Sequence, residues 1–233
     1  MTLVLFDIDG TLVLTGRAGL RAMNRACEEV IGRPDALKGI TVAGRTDWII
    51  LQDALEQHGL RLDDGTLDEL RRRYVRHLAE EIQHPGQGVK DVMPGIRALL
   101  EELNRRPDIA LALLTGNFEE GARIKLEHFD LWKYFRCGAF GGDSADRNDL
   151  VPVAIRRARE CGIAADIDPS QVLVVGDTPH DVACARAAGA IPVAVATGGY
   201  TVDQLCATGA DHVFKDLSDT RAFLRLLDGP PSR

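Results

Sequence analysis

Short, uninterrupted apolar runs alternate with longer amphipathic stretches along most of this chain. The runs are Leu3–Phe6, Ile109–Leu114, Cys137–Phe140, Val172–Val175 and Ile191–Ala196. Four to six apolar residues without polar alternation predict strands buried on both faces, as in a parallel sheet. Between them, Ile96–Asn104, Glu119–His128, Val151–Cys161 and Asp181–Ala188 are long enough to be crossover helices. The alternation predicts an α/β fold: a Rossmann-like open parallel sheet with helices on both faces. A weaker strand at His212–Phe214 and a helix at Thr220–Leu227 complete it, and Gly229–Arg233 reads as a frayed tail.

One interval breaks this rhythm. Between Val13 and Lys90 no strand pattern stands out, and only helical stretches are seen: Gly19–Ile31, Trp48–Gln57 and Thr66–Gln83. The last carries Glu69, Arg71, Arg72, Arg73, Arg76, Glu80 and Glu81, which read as a solvated face of mixed charge. Gly86, Gly88 and Pro94–Gly95 mark the return to the sheet. The expectation is an all-helical insertion, residues 15–89, splitting an α/β core made of residues 1–14 and 90–233.

Composition narrows the function classes. The 233 residues are 45% hydrophobic and 27% charged, ordinary for a globular chain of one to two domains. A net charge of −7 argues against nucleic acid or an anionic membrane as partner. No apolar stretch approaches the ~20 residues that cross a bilayer, and the N-terminus lacks the basic start of a signal peptide. Cys27, Cys137, Cys161, Cys184 and Cys206 are odd in number and form no CxxC pair. Reduced thiols in a cytoplasmic compartment are the expectation.

The candidate chemistry lies where the apolar runs end. The first ends in Asp7-Ile8-Asp9-Gly10-Thr11. In an open α/β sheet, ligands sit beyond the carboxyl ends of the strands. Two acids there are costly unless a cation neutralises them. As the chain leaves the strand their directions can diverge, so one can ligate a metal while the other exchanges a proton. Val172–Gly176 ends likewise in Asp177-Thr178-Pro179-His180-Asp181, and Leu113–Leu114 in Thr115-Gly116-Asn117. A hydroxyl with free N–H groups at a helix start makes an anion cradle. Four carboxylates, this cradle and a basic residue at one sheet edge describe a phosphoryl-transfer site built around a hard cation. The ligand set suits Mg²⁺.

These motifs, in this order, resemble those of the haloacid-dehalogenase (HAD) superfamily phosphatases with a helical cap inserted after the first motif. Phosphoglycolate phosphatases, β-phosphoglucomutases and phosphonatases share that organisation. The resemblance covers essentially the whole chain: DxDGT matches Asp7–Thr11, the second motif matches Thr115, and GDxxxD matches Gly176–Asp181. It implies a HAD-like core with a cap domain. It also implies that Asp7 is a nucleophile forming an aspartyl-phosphate, with its other oxygen on the metal. Asp9 is then the acid and base, touching the metal through its backbone carbonyl. Asp177 is a metal ligand, and Asp181 holds metal-bound water or the basic residue. Thr115, Gly116 and Asn117 bind the phosphoryl oxygens.

The basic third motif departs from the usual KPxP setting. Arg147 stands where the lysine is expected, and both prolines are missing. Arginine can hold a phosphate and an aspartate together. Lys125 competes for the role, but its place inside a helix reads as solvated. In the insertion, Gly44-Arg45-Thr46-Asp47 resembles a loop that reaches down to the substrate, so Arg45 is a candidate for binding a carboxylate or second phosphate. Gly16–Gly19 reads as a hinge, with Arg17 near the mouth. His180 reads as a solvated loop residue, and Trp48 and Trp132 as packing.

Sibling chemistries separate on these residues. Asp9 favours breaking a phosphate ester, whose leaving oxygen needs a proton. Between Leu14 and Val89 the only lysine is Lys38, which leaves little for Schiff-base chemistry. The expectation is a Mg²⁺-dependent phosphatase acting on a small phosphorylated metabolite resembling phosphoglycolate, as a monomer or homodimer. β-Phosphoglucomutase-type transfer and a non-catalytic binding protein on the same scaffold are the alternatives.

Overall fold

The computed structural model describes residues 1–61 and 63–228. The expected tail at Gly229–Arg233 lies outside the described residues. Eight strands and nine helices are seen among the described residues. Six strands form one parallel sheet in the order β5-β4-β1-β6-β7-β8. They are β1 (Thr2–Phe6), β4 (Ile109–Leu114), β5 (Gly138–Ala139), β6 (Val172–Gly176), β7 (Ile191–Val195) and β8 (His212–Phe214). β1 lies at the centre, with Phe6 opposite Leu113 on β4 and Val175 on β6. The expected Cys137–Phe140 strand is trimmed to two residues.

Side-chain alternation along β1 explains the layers. Val4 and Phe6 face one side with Leu111, Leu113 and Val175, and are covered by α4 (Ile96–Asn104), α5 (Glu119–His128) and α9 (Thr220–Leu227). Leu3 and Leu5 face the other with Ala112 and Val174, beneath α6 (Leu150–Glu160) and α7 (Pro179–Ala187). Both faces are therefore apolar, which is why the strands read as continuous runs. The short helix α8 (Val202–Cys206) follows β7.

The interval after β1 corrects the sequence expectation in one respect. Two short antiparallel strands, β2 (Val13–Thr15) and β3 (Lys90–Val92), pair Val13 with Val92 and Thr15 with Lys90. Three-residue strands separated by 74 intervening residues leave no local sequence signature. Between them run α1 (Ala18–Ile31), α2 (Asp47–Gln57) and α3 (Asp64–Glu81). These helices bury their own apolar cluster: Ala22, Met23 and Ala26 of α1, Leu51 and Leu55 of α2, and Leu70, Tyr74 and Leu78 of α3. Phe118, entering from the sheet unit, joins it. The charged face of α3 is organised, with Arg76 on Glu29, Arg73 on Glu69 and Arg71 on Glu120. Trp48 packs against the helical cluster and Trp132 against the sheet core, as read from the sequence.

Candidate active site

The carboxyl ends of β1, β4 and β6 bring three of the sequence motifs together. Asp7 follows β1 directly, its N–H donating to Val175 O at 2.9 Å. Gly10 turns the chain at φ 87°, a left-handed conformation that favours glycine. Its N–H closes onto Val13 O at 2.9 Å, and the two acids have different partners, Arg147 for Asp7 and Asn117 with Lys125 for Asp9.

Asp7, Asp177 and Asp181 are buried, and each offers an oxygen within 4.8 Å of the others. Such a cluster needs positive charge. Arg147 supplies part of it from a single 3₁₀ turn, Arg147–Asp149, ahead of α6. Its Nη2 lies 3.1 Å from Asp7 Oδ1 and 2.5 Å from Asp181 Oδ1. Asp181 is fully engaged, because its Oδ2 also accepts the Thr178 N–H at 3.0 Å and hydroxyl at 2.6 Å. Asp181 thus anchors Arg147 and caps α7. Burial raises the Asp7 carboxyl to about 6; Arg147 opposes the rise, and Asp181 and Asp9 add to it.

Asp177 is different. It accepts a 3.3 Å hydrogen bond from the Thr11 hydroxyl and has no cation within ion-pair distance among the described residues. Burial pushes its carboxyl up to about 8, with Asp181 and Asp7 adding to the rise. Glycines keep space around it. A Cβ on Gly198 would fall 1.7 Å from Asp177 Oδ2, and one on Gly10 2.5 Å away. A buried carboxylate short of positive charge, beside a second one on Asp7, fits a hard divalent cation. The donor set therefore agrees with Mg²⁺.

The second motif forms the facing wall. Thr115 Oγ1 accepts from Asn117 Nδ2 at 2.8 Å and from Asn117 N at 3.3 Å. Its own proton is left to donate outward. Asn117 Nδ2 also donates to Asp9 Oδ2 at 2.8 Å.

Lys125 corrects a sequence expectation. It is only 4% exposed, not solvated, and its Nζ lies 2.6 Å from both Asp9 Oδ2 and Asn117 Oδ1. It does not compete with Arg147. Arg147 serves Asp7 and Asp181, while Lys125 serves Asp9. The helix pattern held the clue, since Lys125 shares the inward face of α5 with Ala122 and Leu126.

Asp47, to which the sequence reading assigned no role, fastens the helical insertion to this wall. Its N–H donates to Gly116 O at 2.7 Å, and its Oδ2 accepts the Phe118 N–H at 2.8 Å. Burial pushes its carboxyl up to about 7, opposed by nearby Lys125. A Cβ on Gly116 would lie 2.1 Å from Arg45 O, so only glycine admits the loop.

A cavity of about 700 Å³ opens above Asp7 and reaches up between the sheet unit and the helices. Arg45 lines it, yet its Nη1 is bound to Asp53 Oδ2 at 2.6 Å and to Thr41 O at 3.3 Å. Arg17 lies at the mouth, exposed and in a left-handed conformation at φ 62°. His180 is exposed beside Gly44.

With this geometry in view, the relatives of the chain are informative. Residues 1–189 match the haloacid dehalogenase-like hydrolase family. The chain belongs to that family. It is 34% identical over 218 residues to a phosphoglycolate phosphatase of Rhodospirillum rubrum, covering 92% of this chain and 87% of that one. A phosphoglycolate phosphatase of Cereibacter sphaeroides is 32% identical, covering 84% and 85%. The fold matches the crystal structure of a predicted phosphoglycolate phosphatase from Haemophilus somnus 129pt, with a TM-score of 0.71. That match covers 96% of this chain and 98% of the other at 21% identity. This HAD-like hydrolase therefore has relatives along nearly its whole length, and no described helix is long and apolar enough to cross a membrane.

Proposed function

We propose that this hydrolase is a Mg²⁺-dependent phosphatase cleaving small phosphate monoesters through an aspartyl-phosphate. The observation that carries the reading is the paired arrangement around β1. Asp7 is buried against Arg147 and beside Asp177, while Asp9, two residues on, faces the cavity with its carboxylate held by Lys125 and Asn117. One acid is placed to attack and the other to move a proton.

Residues 15–89 are the cap, excluding water from this centre when closed onto the core. Asp7 and Asp177 would hold Mg²⁺, with the Asp9 backbone carbonyl as a third donor. When bound, the ion neutralises the carboxylates and the phosphoryl oxygens.

Asp7 attacks phosphorus, and the bond to the leaving oxygen breaks as Asp9, entering this step as the protonated acid, gives that oxygen its proton and is left as the carboxylate. Asp9 then takes a proton from the water that attacks phosphorus, which frees Asp7 and phosphate. Arg147, the Thr115 hydroxyl and the N–H groups of Gly116 and Asn117 stabilise the equatorial oxygens. Asp181 keeps Arg147 aimed.

The test is hydrolysis of p-nitrophenyl phosphate. Turnover should require added Mg²⁺, stop reversibly with EDTA and vanish in Asp7→Asn. Full activity under either treatment contradicts the reading.

A further inference from the structure

The cavity holds more than the phosphoryl group needs. Its lower end is Asp7, Thr115 and Arg147; its upper wall is made by Leu20 and Met23 of α1, Ile50 of α2, and Leu37 and Val42 from the segment between those helices. At about 700 Å³ it falls in the range that encloses ligands of drug size, far above a two-carbon alcohol.

The charges point the same way. Four cations line the cavity, and three are bound: Arg147 to Asp7 and Asp181, Lys125 to Asp9, and Arg45 to Asp53. Arg17 stands exposed at the mouth, where water weakens its attraction. A carboxylate on the leaving group would therefore find only solvent-weakened Arg17 uncommitted and would otherwise lie against the apolar wall, which is costly for a buried charge.

Resting on the phosphatase reading, we infer that the preferred substrate is a phosphate monoester of an uncharged alcohol with an apolar portion of several carbons. The phosphate is held by the core, and the carbon chain or ring by Leu20, Met23, Leu37 and Ile50.

The experiment compares kcat/KM for ethyl phosphate, n-hexyl phosphate and phosphoglycolate, with p-nitrophenyl phosphate as a reference. Each methylene buried should be worth roughly fourfold, so n-hexyl phosphate should exceed ethyl phosphate by on the order of 100-fold. Phosphoglycolate should be no better than ethyl phosphate. A hexyl-to-ethyl ratio below about threefold, or phosphoglycolate cleaved faster than n-hexyl phosphate, overturns the inference and leaves the phosphatase reading standing. Absence of hydrolysis of every ester, p-nitrophenyl phosphate included, overturns both.

A variant probes the wall itself. Leu20→Lys puts a cation where the carbon chain would lie and should lower the ratio of n-hexyl phosphate to phosphoglycolate by about tenfold or more. Val42→Lys, at an exposed position of the same wall, serves if Leu20→Lys does not fold. An unchanged ratio in a folded variant refutes the assignment.

Discussion

Replacing Arg147 by methionine removes the one cation that touches both Asp7 and Asp181. Methionine keeps an unbranched apolar stem of similar reach, so the change is chiefly one of charge. At 3.1 Å from Asp7 and an effective dielectric near 20, the attraction lost is about 5 kcal/mol before desolvation is counted. Desolvation of the arginine itself is relieved, and breaking a buried pair from one side costs about 3–5 kcal/mol. The cost should depend on pH. With Arg147 gone, nothing opposes the burial that already raises Asp7, so its folded pKa climbs further above its unfolded value. Below about pH 4 the carboxyl is protonated in both states and that part of the cost vanishes. As pH rises, the unfolded chain ionises while the folded one resists, so stability falls until the folded pKa is passed. Urea unfolding in EDTA should show the deficit of Arg147→Met growing between pH 5 and 8. Added Mg²⁺ should recover part of it. A deficit below about 1 kcal/mol, constant across that range, would refute the assignment of Arg147 as the counter-charge of the cluster.

Asp9→Asn should slow hydrolysis by about 10²–10⁴-fold, the usual worth of a positioned proton donor. The loss should be larger for alkyl phosphates than for p-nitrophenyl phosphate, and equal losses would remove Asp9 from leaving-group protonation. Lys125→Met should show the same leaving-group dependence, and the double variant should lose little beyond the worse single change, because the two residues act through one contact. For Asp47, whose folded pKa is raised to about 7, stability is fully present below about pH 4 and lost as pH rises towards 7. Asp47→Asn keeps an acceptor for the Phe118 N–H and removes that loss. Its unfolding free energy relative to wild type should therefore improve by up to about 4 kcal/mol between pH 4 and 7; a pH-independent difference would show Asp47 to be paired rather than strained.

The six-strand sheet was legible because burial on both faces writes itself as uninterrupted apolar runs, as at Ile109–Leu114 and Val172–Gly176. Asp7, Asp9, Thr115, Asp177 and Asp181 were legible for a related reason: each follows such a run closely, where the topology collects ligands. What escaped was set by contacts between distant segments. β2 and β3 are three residues each and have no reason to be extended until they meet. Asp47 looks like any acidic first-turn residue, and its burial depends on Gly116 admitting the Arg45 carbonyl. Lys125 misled because lysine is ordinarily solvated, and its burial is accounted for by Asn117 Oδ1 together with a counter-charge, Asp9, that lies 116 positions away in sequence. Arg45 was visible as a cation on a loop, but its commitment to Asp53 needed coordinates.

The central claim is that Asp7 carries the phosphoryl group, and acid quenching of the working enzyme tests it most directly. The enzyme is mixed with ³²P-labelled n-hexyl phosphate and Mg²⁺, stopped in acid within one turnover, and digested. The account predicts protein-bound phosphate that survives acid, is released by hydroxylamine, and maps to the peptide containing Asp7, with none in Asp7→Asn. Turnover with no trapped label, or label mapping to any residue other than Asp7, would contradict it.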